Sequence, residues 1–236
     1  MKIRLKIVSF ILLIYSFNNS FASDSTHHKY PWQLSIMPGF NSSTVAGSMV
    51  DFTNNSNHFE GITDAIQTNK GGYLFNISIQ KNISGYFYLK TGIGYSHKQV
   101  YPENNTNHIY RDSLNTNYFN IPFIIGSSIP LDKKQTFHLF FETGLSGDIK
   151  NSDKSSTGPD RASFETLPFY LNFLVSAGAD FSINSKAAIV LQYQYTAGLT
   201  GAYKEVLYYG APNEPIFTGY YKYLTDSISL GIKWNL

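Results

Sequence analysis

Two groups of residues in the sequence are of types that bind metal ions. His27 and His28 form an adjacent pair, and the imidazole nitrogen is the commonest metal ligand among side chains. Asp148, Asp153 and Asp160 lie in a stretch rich in Ser and Gly, and carboxylate oxygens suit calcium. The histidine pair has no third ligand near it, and the aspartates lack the spacing of an EF-hand loop. We therefore expect a solvated arm at the histidines, no metal site at either place, and no cofactor.

Ser96, His97 and Glu103 are the residue types of a hydrolase that uses a serine nucleophile, a histidine base and an acid. At the outer rim of a membrane barrel such a set would suit a lipid-modifying enzyme of the lipid A deacylase type. Neighbouring residues on a strand point to opposite faces, so Ser96 and His97 cannot easily hydrogen-bond to each other. We expect no catalytic site here, and a lipid-modifying enzyme is kept as the alternative function.

A third group consists of charged and amide side chains that recur at alternate positions of strand-like segments: Lys90, Glu142, Asp180, Gln192, Gln194 and Lys233. Their alternation with apolar residues predicts a polar network inside a barrel. Lys90 and Glu142 lie five and six residues above the turns near Gly85 and Thr136, at similar depth. A buried charge is tolerated when it is paired and hydrogen-bonded. We therefore predict an ion pair between Lys90 and Glu142, direct or through Gln192, that closes the interior to ions.

The segments that carry these residues have the two-residue period of β-strands. Between Tyr73 and Tyr95 two such segments flank a short polar turn, as in a β-hairpin. The same alternation recurs in eight segments, which begin near residues 32, 73, 87, 119, 137, 169, 189 and 228, and their apolar faces carry 34 large residues. Pro122 lies within the fourth segment, where we expect a bulge or a local break, because proline has no N–H to donate.

The alternation alone leaves open whether the apolar face points inward, as in a soluble barrel or sandwich, or outward to lipid. A closed barrel of eight strands has room for roughly a dozen interior side chains, so 34 large apolar residues predict an outward face. Short connections near residues 81–84, 131–135 and 184–186 alternate with long polar ones near 41–71, 101–115, 148–166 and 200–221. The expected fold of residues 32–236 is an all-β, eight-stranded antiparallel up-and-down transmembrane β-barrel with short periplasmic turns and long extracellular loops. Eight strands also exclude a wide diffusion pore.

The first 22 residues have the features of a secretory signal peptide. Lys2, Arg4 and Lys6 precede an apolar run from Ile7 to Phe17, and Ser20 and Ala22 supply small residues at the two positions that a signal peptidase reads. The apolar run is shorter than the about 20 residues of a membrane-spanning helix. We predict cleavage after residue 22, an N-terminal arm over residues 23–31, and export to the outer membrane.

The composition of the 236-residue chain agrees with an exported barrel and excludes several kinds of site. There is no cysteine, which excludes disulfides and thiolate metal sites. Without residues 1–22 the chain has 15 basic and 16 acidic residues, so it offers no basic surface for nucleic acid. The mean hydropathy is −0.19, a value that a transmembrane barrel can have because it averages an apolar outside with polar loops and a polar interior.

The last strand resembles the C-terminal signal that the barrel-assembly machinery reads during insertion. Gly231 is followed by hydrophobic residues at the third-last and last positions, Trp234 and Leu236. An aromatic residue is usual at the last position. We therefore expect the assembly machinery and outer-membrane lipid as partners.

The sequence also resembles the PorT-like outer-membrane β-barrel family of Bacteroidetes. The resemblance is carried by the segments Leu89 to Tyr95 and Tyr118 to Pro122, and by Gly178 and the Gly231 ending. Asn120 stands where that family often has an acidic residue. The resemblance implies the barrel fold. Independently of it, we expect a non-enzymatic structural or interaction role, with a protein partner at the extracellular loops. The resemblance also implies, for some members, a role in protein secretion.

Overall fold

A computed structural model of the chain describes residues 32–51, 71–100, 114–155, 162–208 and 215–236. These ranges contain the antiparallel strands β1 (Trp32–Asp51), β2 (Gly71–Asn82), β3 (Phe87–Val100), β4 (Leu114–Pro130), β5 (Phe137–Ser155), β6 (Ala162–Thr166), β7 (Phe169–Ser182), β8 (Ala187–Gly198), β9 (Tyr203–Tyr208) and β10 (Pro215–Asn235). The wall follows the order β1-β2-β3-β4-β5-β7-β8-β10, and β10 pairs with β1. The predicted closed eight-stranded barrel is confirmed.

The pairing register fixes the tilt of the strands. A path across paired residues leaves β1 at Gln33, passes through Lys90 on β3 and Thr196 on β8, and returns to β1 at Ser43, ten residues further along. A rise of about 3.3 Å per residue and a strand spacing of about 4.8 Å convert this offset into a tilt of about 40°. An eight-stranded barrel of this tilt has an interior that side chains can fill.

The large apolar residues assigned to the outward face of the eight segments do point outward, as predicted. On β4 the exposed fraction is 65% at Phe123 and 5% at Ile124, and this alternation recurs along β7 and β8. Aromatic rings mark the upper edge of the apolar band, where Tyr95 lies 6.2 Å from Tyr73 and 5.8 Å from Phe119. Aromatic girdles of this kind are typical of the interfacial levels of outer-membrane barrels.

Several strands run further than the sequence predicted. Residues 41–51 continue β1, and residues 148–155 continue β5, although the sequence predicts long connections at both places. The short strands β6 and β9 also lie in predicted loops; β6 pairs with β9, and β9 pairs with β10. Beyond the lipid the outward positions are polar, so the apolar alternation that reveals a strand is lost. The estimate of about a dozen interior side chains was also wrong, because the longer strands add further layers of buried residues to the interior.

Two prolines interrupt the ladders without shifting the register. On either side of Pro122 the β3–β4 pairs are Thr91 with Phe123 and Gly94 with Asn120, and the two pairs between them are missing. Pro38 coincides with a similar gap between β1 and β10. The local break expected at Pro122 is present and there is no bulge, since a missing N–H removes a hydrogen bond but adds no residue.

Several predictions concern residues outside the described ranges. These are the signal peptide at residues 1–22, the arm at 23–31 with His27 and His28, and the candidate residues Glu103 and Asp160.

No helix in the described part of the chain is long and apolar enough to cross a membrane.

Candidate functional site

Glu142 lies at the centre of a hydrogen-bond cluster inside the barrel. Its Oε1 accepts from Lys90 Nζ at 2.6 Å and from the Tyr88 hydroxyl at 2.8 Å. Its Oε2 accepts from Ser176 Oγ at 2.8 Å and from Gln192 Nε2 at 2.7 Å. The Glu142 side chain is 1% exposed. Each carboxylate oxygen therefore has two donors, which offset the cost of burying the charge.

A glycine on the intervening strand lets β3 reach Glu142 on β5. Gly126 of β4 pairs with Tyr88 on one side and with Glu142 on the other. A Cβ atom at Gly126 would lie 2.6 Å from the Tyr88 hydroxyl oxygen and would also meet its ring. The absence of a side chain at Gly126 thus gives Tyr88 its path across the inner surface of β4.

A second ion pair lies next to this cluster, nearer the short turns. Lys233 Nζ of β10 forms a close ion pair with Asp180 Oδ2 of β7, and His138 Nδ1 lies 3.0 Å from Asp180 Oδ1. Lys90, Glu142, Asp180 and Lys233 all line one void of about 20 Å³. We call the combined set the lower layer: Tyr88, Lys90, His138, Glu142, Ser176, Asp180, Gln192 and Lys233.

A third ion pair crosses the barrel further from the short turns. Lys98 Nζ of β3 lies 3.1 Å from Asp148 Oδ2 of β5 and donates to the Tyr170 hydroxyl at 2.5 Å. Ser146 Oγ donates to the other oxygen of Asp148 at 3.0 Å. Lys98 is 3% exposed, so this pair is as deeply buried as the lower one.

Tyrosine rings enclose the Lys98 ammonium. It lies 5.4 Å from the ring centroid of Tyr118, 5.1 Å from Tyr170 and 4.8 Å from Tyr223, distances at which a cation is attracted to a ring face. Tyr203 packs edge-on against Tyr223 with 5.0 Å between centroids. We call Lys98, Tyr118, Asp148, Tyr170, Tyr203 and Tyr223 the upper layer.

A small chamber with a mixed polar and apolar lining separates the two layers. Its volume is about 70 Å³, with Lys90 and Lys98 both in its lining. Asn41 Oδ1 and Ser96 Oγ also belong to lining residues and are buried without a protein hydrogen-bond partner. Buried polar atoms of this kind are commonly satisfied by water, and the chamber has room for several molecules. The lumen is thus divided into a small chamber with a charge-paired layer below it and another above it.

The predicted lumen residues fall into three places. Lys90, Glu142 and Gln192 meet in one cluster, Asp180 and Lys233 form the neighbouring pair, and Gln194 lines the chamber and donates to Thr196 Oγ1 at 3.1 Å.

Sequence reasoning missed Tyr88, Ser176 and His138 in the lower layer and all of the upper layer. The signal for Lys98 was its position, because it continues the inward face of Lys90 by an even number of residues. Asp148 was considered as a calcium ligand in a loop, but it lies on β5 within the lumen, whereas Asp153 pairs with Lys150 at 3.5 Å. Among the residues that the structure describes, no three His, Asp or Glu side chains gather into a metal site.

Ser96 and His97 lie on opposite faces of β3. Ser96 is buried in the lumen, whereas the His97 ring stacks on Tyr73 with 5.1 Å between centroids and its Nδ1 lies 2.8 Å from Asn117 Oδ1. The two side chains therefore do not form a nucleophile and base pair.

The residues of the predicted assembly signal lie on the strand that closes the barrel. Gly231 packs against Met37 of β1, where a Cβ atom would come within 2.8 Å of Met37 Cγ. Trp234 pairs with Leu34, and the Leu236 N–H donates to the Trp32 carbonyl at 2.9 Å. Recognition of this strand by the assembly machinery remains a prediction.

Solved structures with a similar fold include several outer-membrane proteins. OprG from Pseudomonas aeruginosa has a TM-score of 0.52 at 8% identity, over 87% of this chain and 96% of OprG. Neisserial surface protein A has a TM-score of 0.43 at 10% identity over 87% and 97% of the two chains, and AlkL has 0.46 at 13% identity over 90% and 93%. The similarity to OprG supports the fold alone, and nothing further is inferred from the two structures with lower TM-scores. Among curated proteins, none matches the chain.

A family model provides the assignment that these distant structures do not. The model described as an outer membrane protein beta-barrel domain matches residues 18–204, which is most of the chain. The matched range includes seven of the eight wall strands, all except β10. The match agrees with the outward apolar band and the closed wall. The chain belongs to the outer membrane protein beta-barrel domain family, and its place is the outer membrane.

Proposed function

We propose that the protein is a non-enzymatic outer-membrane barrel with a closed lumen, which acts as a structural or interaction protein through its extracellular part. The observation that carries this proposal is the Glu142 carboxylate, held by four donors that come from β3, β7 and β8. An ion crossing the barrel would have to displace these donors and then the Lys98 ammonium from its acceptors, Asp148 and Tyr170. Because each layer would leave buried charges unpaired when opened, the closed form is strongly favoured.

The extracellular part supports an interaction role because it is built as a paired wall. The β1–β10 ladder continues as far as the pair of Asp51 with Phe217. The β9 and β6 strands extend this wall sideways, and Lys150 N–H donates to the Pro168 carbonyl at 2.8 Å where the chain enters β7. A wall of paired strands offers a partner a more ordered surface than unpaired loops do. The partner that suits this position is a protein at the cell exterior.

We also propose that the chain belongs to the PorT-like part of its family, on the residues of the segments Leu89 to Tyr95 and Tyr118 to Pro122. An association with protein secretion follows from that placement as a proposal. The two segments form adjacent, paired stretches of β3 and β4, which supports their interpretation as one motif.

A photo-crosslinking amino acid at Lys222 tests the interaction role. Lys222 is exposed on β10 above the apolar band, and Ile228, on the same outward face within the band, is the matched control. In intact cells we expect a discrete protein adduct from position 222 and only lipid adducts from position 228. If position 222 gives no protein adduct, and the same probe at positions 150 and 204 gives none either, the interaction role is wrong.

The enzymatic alternative is tested on the lipid itself. Mass spectra of lipid A from cells with and without the protein should be identical if it is not a lipid-modifying enzyme. A loss of acyl chains that depends on the protein would replace the proposed function with the enzymatic one.

A further inference from the structure

A larger cavity lies between the lower layer and the short turns. Its volume is about 530 Å³, and we call it the vestibule; its lining includes Gln33, Gln80, Lys134, His138, Asp180 and Lys233. Small-molecule sites commonly have volumes in this range. Tyr88 of the lower layer also belongs to the lining, so the vestibule ends at a closed layer. It is a pocket that opens at the end of the barrel with short turns, which faces the periplasm in outer-membrane barrels.

The carboxylates around the vestibule are already fully engaged. Asp180 accepts from Lys233 and His138. Asp132, in the turn after β4, accepts from the N–H groups of Thr136 at 2.8 Å and Phe137 at 2.9 Å, and from the Thr136 hydroxyl at 2.5 Å. These carboxylates therefore have little capacity left to neutralise further cations.

The lysines at the mouth are not neutralised in this way. Lys134 lines the vestibule, Lys133 precedes it in the same turn, and Lys186 lies in the turn between β7 and β8. Within the described residues, none of the three forms an ion pair with a carboxylate. The mouth thus carries excess positive charge, which concentrates anions in a narrow cleft.

Neutral donors complete the lining. Ser182 and Asn184 lie at the end of β7 and in the following turn, and both line the vestibule. The Asn184 side-chain oxygen accepts from the N–H groups of Lys186 and Ala187 at 2.8 and 2.9 Å, which leaves its amide N–H groups as donors. Lysine ammonium groups together with hydroxyl and amide donors are a set that suits phosphate oxygens.

We propose that the vestibule is a binding site for a phosphate group that enters from the periplasm, with Lys134 as the principal unpaired cation. The group can belong to a soluble phosphate compound or to an anionic lipid headgroup. A soluble compound reaches the mouth from the periplasm. A lipid headgroup reaches it because exposed Ile83, Leu131 and Ile183 bring the apolar outer surface down to the three turns. The membrane surface then lies at the level of the vestibule opening.

Inorganic phosphate is the probe for the first test. In neutral detergent, backbone amide signals of Thr136 and Ser182 should shift in NMR spectra with saturable phosphate binding, and chloride at equal ionic strength should not reproduce the shifts. Lys134→Gln should weaken phosphate binding about fivefold, the upper end for one exposed charge pair. Lys133→Gln is the matched control, since Lys133 does not line the vestibule, and it should change affinity less than about twofold.

The second test separates the two sources. In nanodiscs of phosphatidylcholine alone, shifts on adding phosphate support a soluble ligand. The same shifts in nanodiscs that contain phosphatidylglycerol, without added phosphate, support a lipid headgroup. Absence of shifts in both arms overturns the proposal, and so does an equal loss of affinity in the Lys133 and Lys134 variants.

Discussion

The two layers that close the lumen stabilise buried charge in different ways. In the lower layer, Glu142 is surrounded by polar donors, each at 2.6–2.8 Å. In the upper layer the cation is at the centre, and Lys98 is held by one carboxylate, one hydroxyl and three tyrosine rings. Hydrogen bonds to a carboxylate are directional, whereas attraction to ring faces tolerates displacement. The lower layer should therefore be the more sensitive of the two to a loss of charge.

The largest effect is expected where one member of the lower ion pair is removed. Glu142→Ala leaves Lys90 buried without a counter-ion, so the free energy of unfolding should fall by about 3–5 kcal/mol. Urea unfolding in lipid vesicles measures this change. Lys222→Ala, at an exposed lysine, is the control and should stay within about 0.5 kcal/mol of the wild type. Replacing both Lys90 and Glu142 by Met should recover much of the loss; a double variant as unstable as Glu142→Ala would contradict the pairing.

The comparison between the layers is tested most directly by two amide replacements. Glu142→Gln places an amide among four donors, whereas Asp148→Asn leaves Lys98 with Tyr170 and its three rings. We expect Glu142→Gln to cost about 2–3 kcal/mol and Asp148→Asn about 1 kcal/mol, in the ranges for stranded and for partly compensated polar groups. The same unfolding experiment compares them. An equal or reversed order would show that the rings do not stabilise Lys98 independently of Asp148.

A smaller effect is expected at the glycine that admits Tyr88. Gly126→Ala introduces a Cβ that meets the Tyr88 ring, so overpacking should cost about 1–3 kcal/mol. Gly85 is the matched control, because a Cβ there has nothing within 4 Å. Unfolding free energies of the two alanine variants measure the difference. If both variants are equally stable, the crossing of Tyr88 over β4 is not a constraint on the lower layer.

The exposed turn after β4 provides a reference outside both layers. Hydrogen bonds, first from the Thr136 hydroxyl and then from the Phe137 N–H, hold the pKa of Asp132 below its ordinary value. Because the folded-state pKa is depressed, the stabilisation is present above the unfolded pKa of about 4 and is lost as pH falls through the folded value. The protection of the Thr136 and Phe137 amides from hydrogen exchange, measured by NMR relative to the intrinsic rate at each pH, should therefore fall below about pH 4. Asp132→Asn should remove this pH dependence, and its persistence would assign the effect to another group.

The difference between the layers also marks how far the sequence could be interpreted. Lys90, Glu142 and Gln192 could be placed in the lumen because their outward neighbours Leu89, Phe141 and Leu191 are apolar. The same alternation predicted eight strands, and the outward face was inferred from the number of large apolar residues that the eight segments carry. Lys98 and Asp148 lie where the wall approaches the aqueous side, and His97 and Gln99 flank Lys98 instead of apolar residues. Without apolar neighbours, the even spacing from Lys90 was the one sign that Lys98 faces inward. The strands β6 and β9 and the tyrosines around Lys98 depend on tertiary pairing that only the structure shows.

Ion conductance across a planar bilayer tests the central claim that the lumen is closed by charge-paired layers. The purified wild-type protein should insert without producing steady current steps, because Glu142 and Lys98 each block the path with buried ion pairs. The variant with Glu142→Ala and Lys98→Ala together removes one charged side chain from each layer and should give more current than either single variant. Steady, voltage-independent conductance by the wild type would contradict the closed lumen.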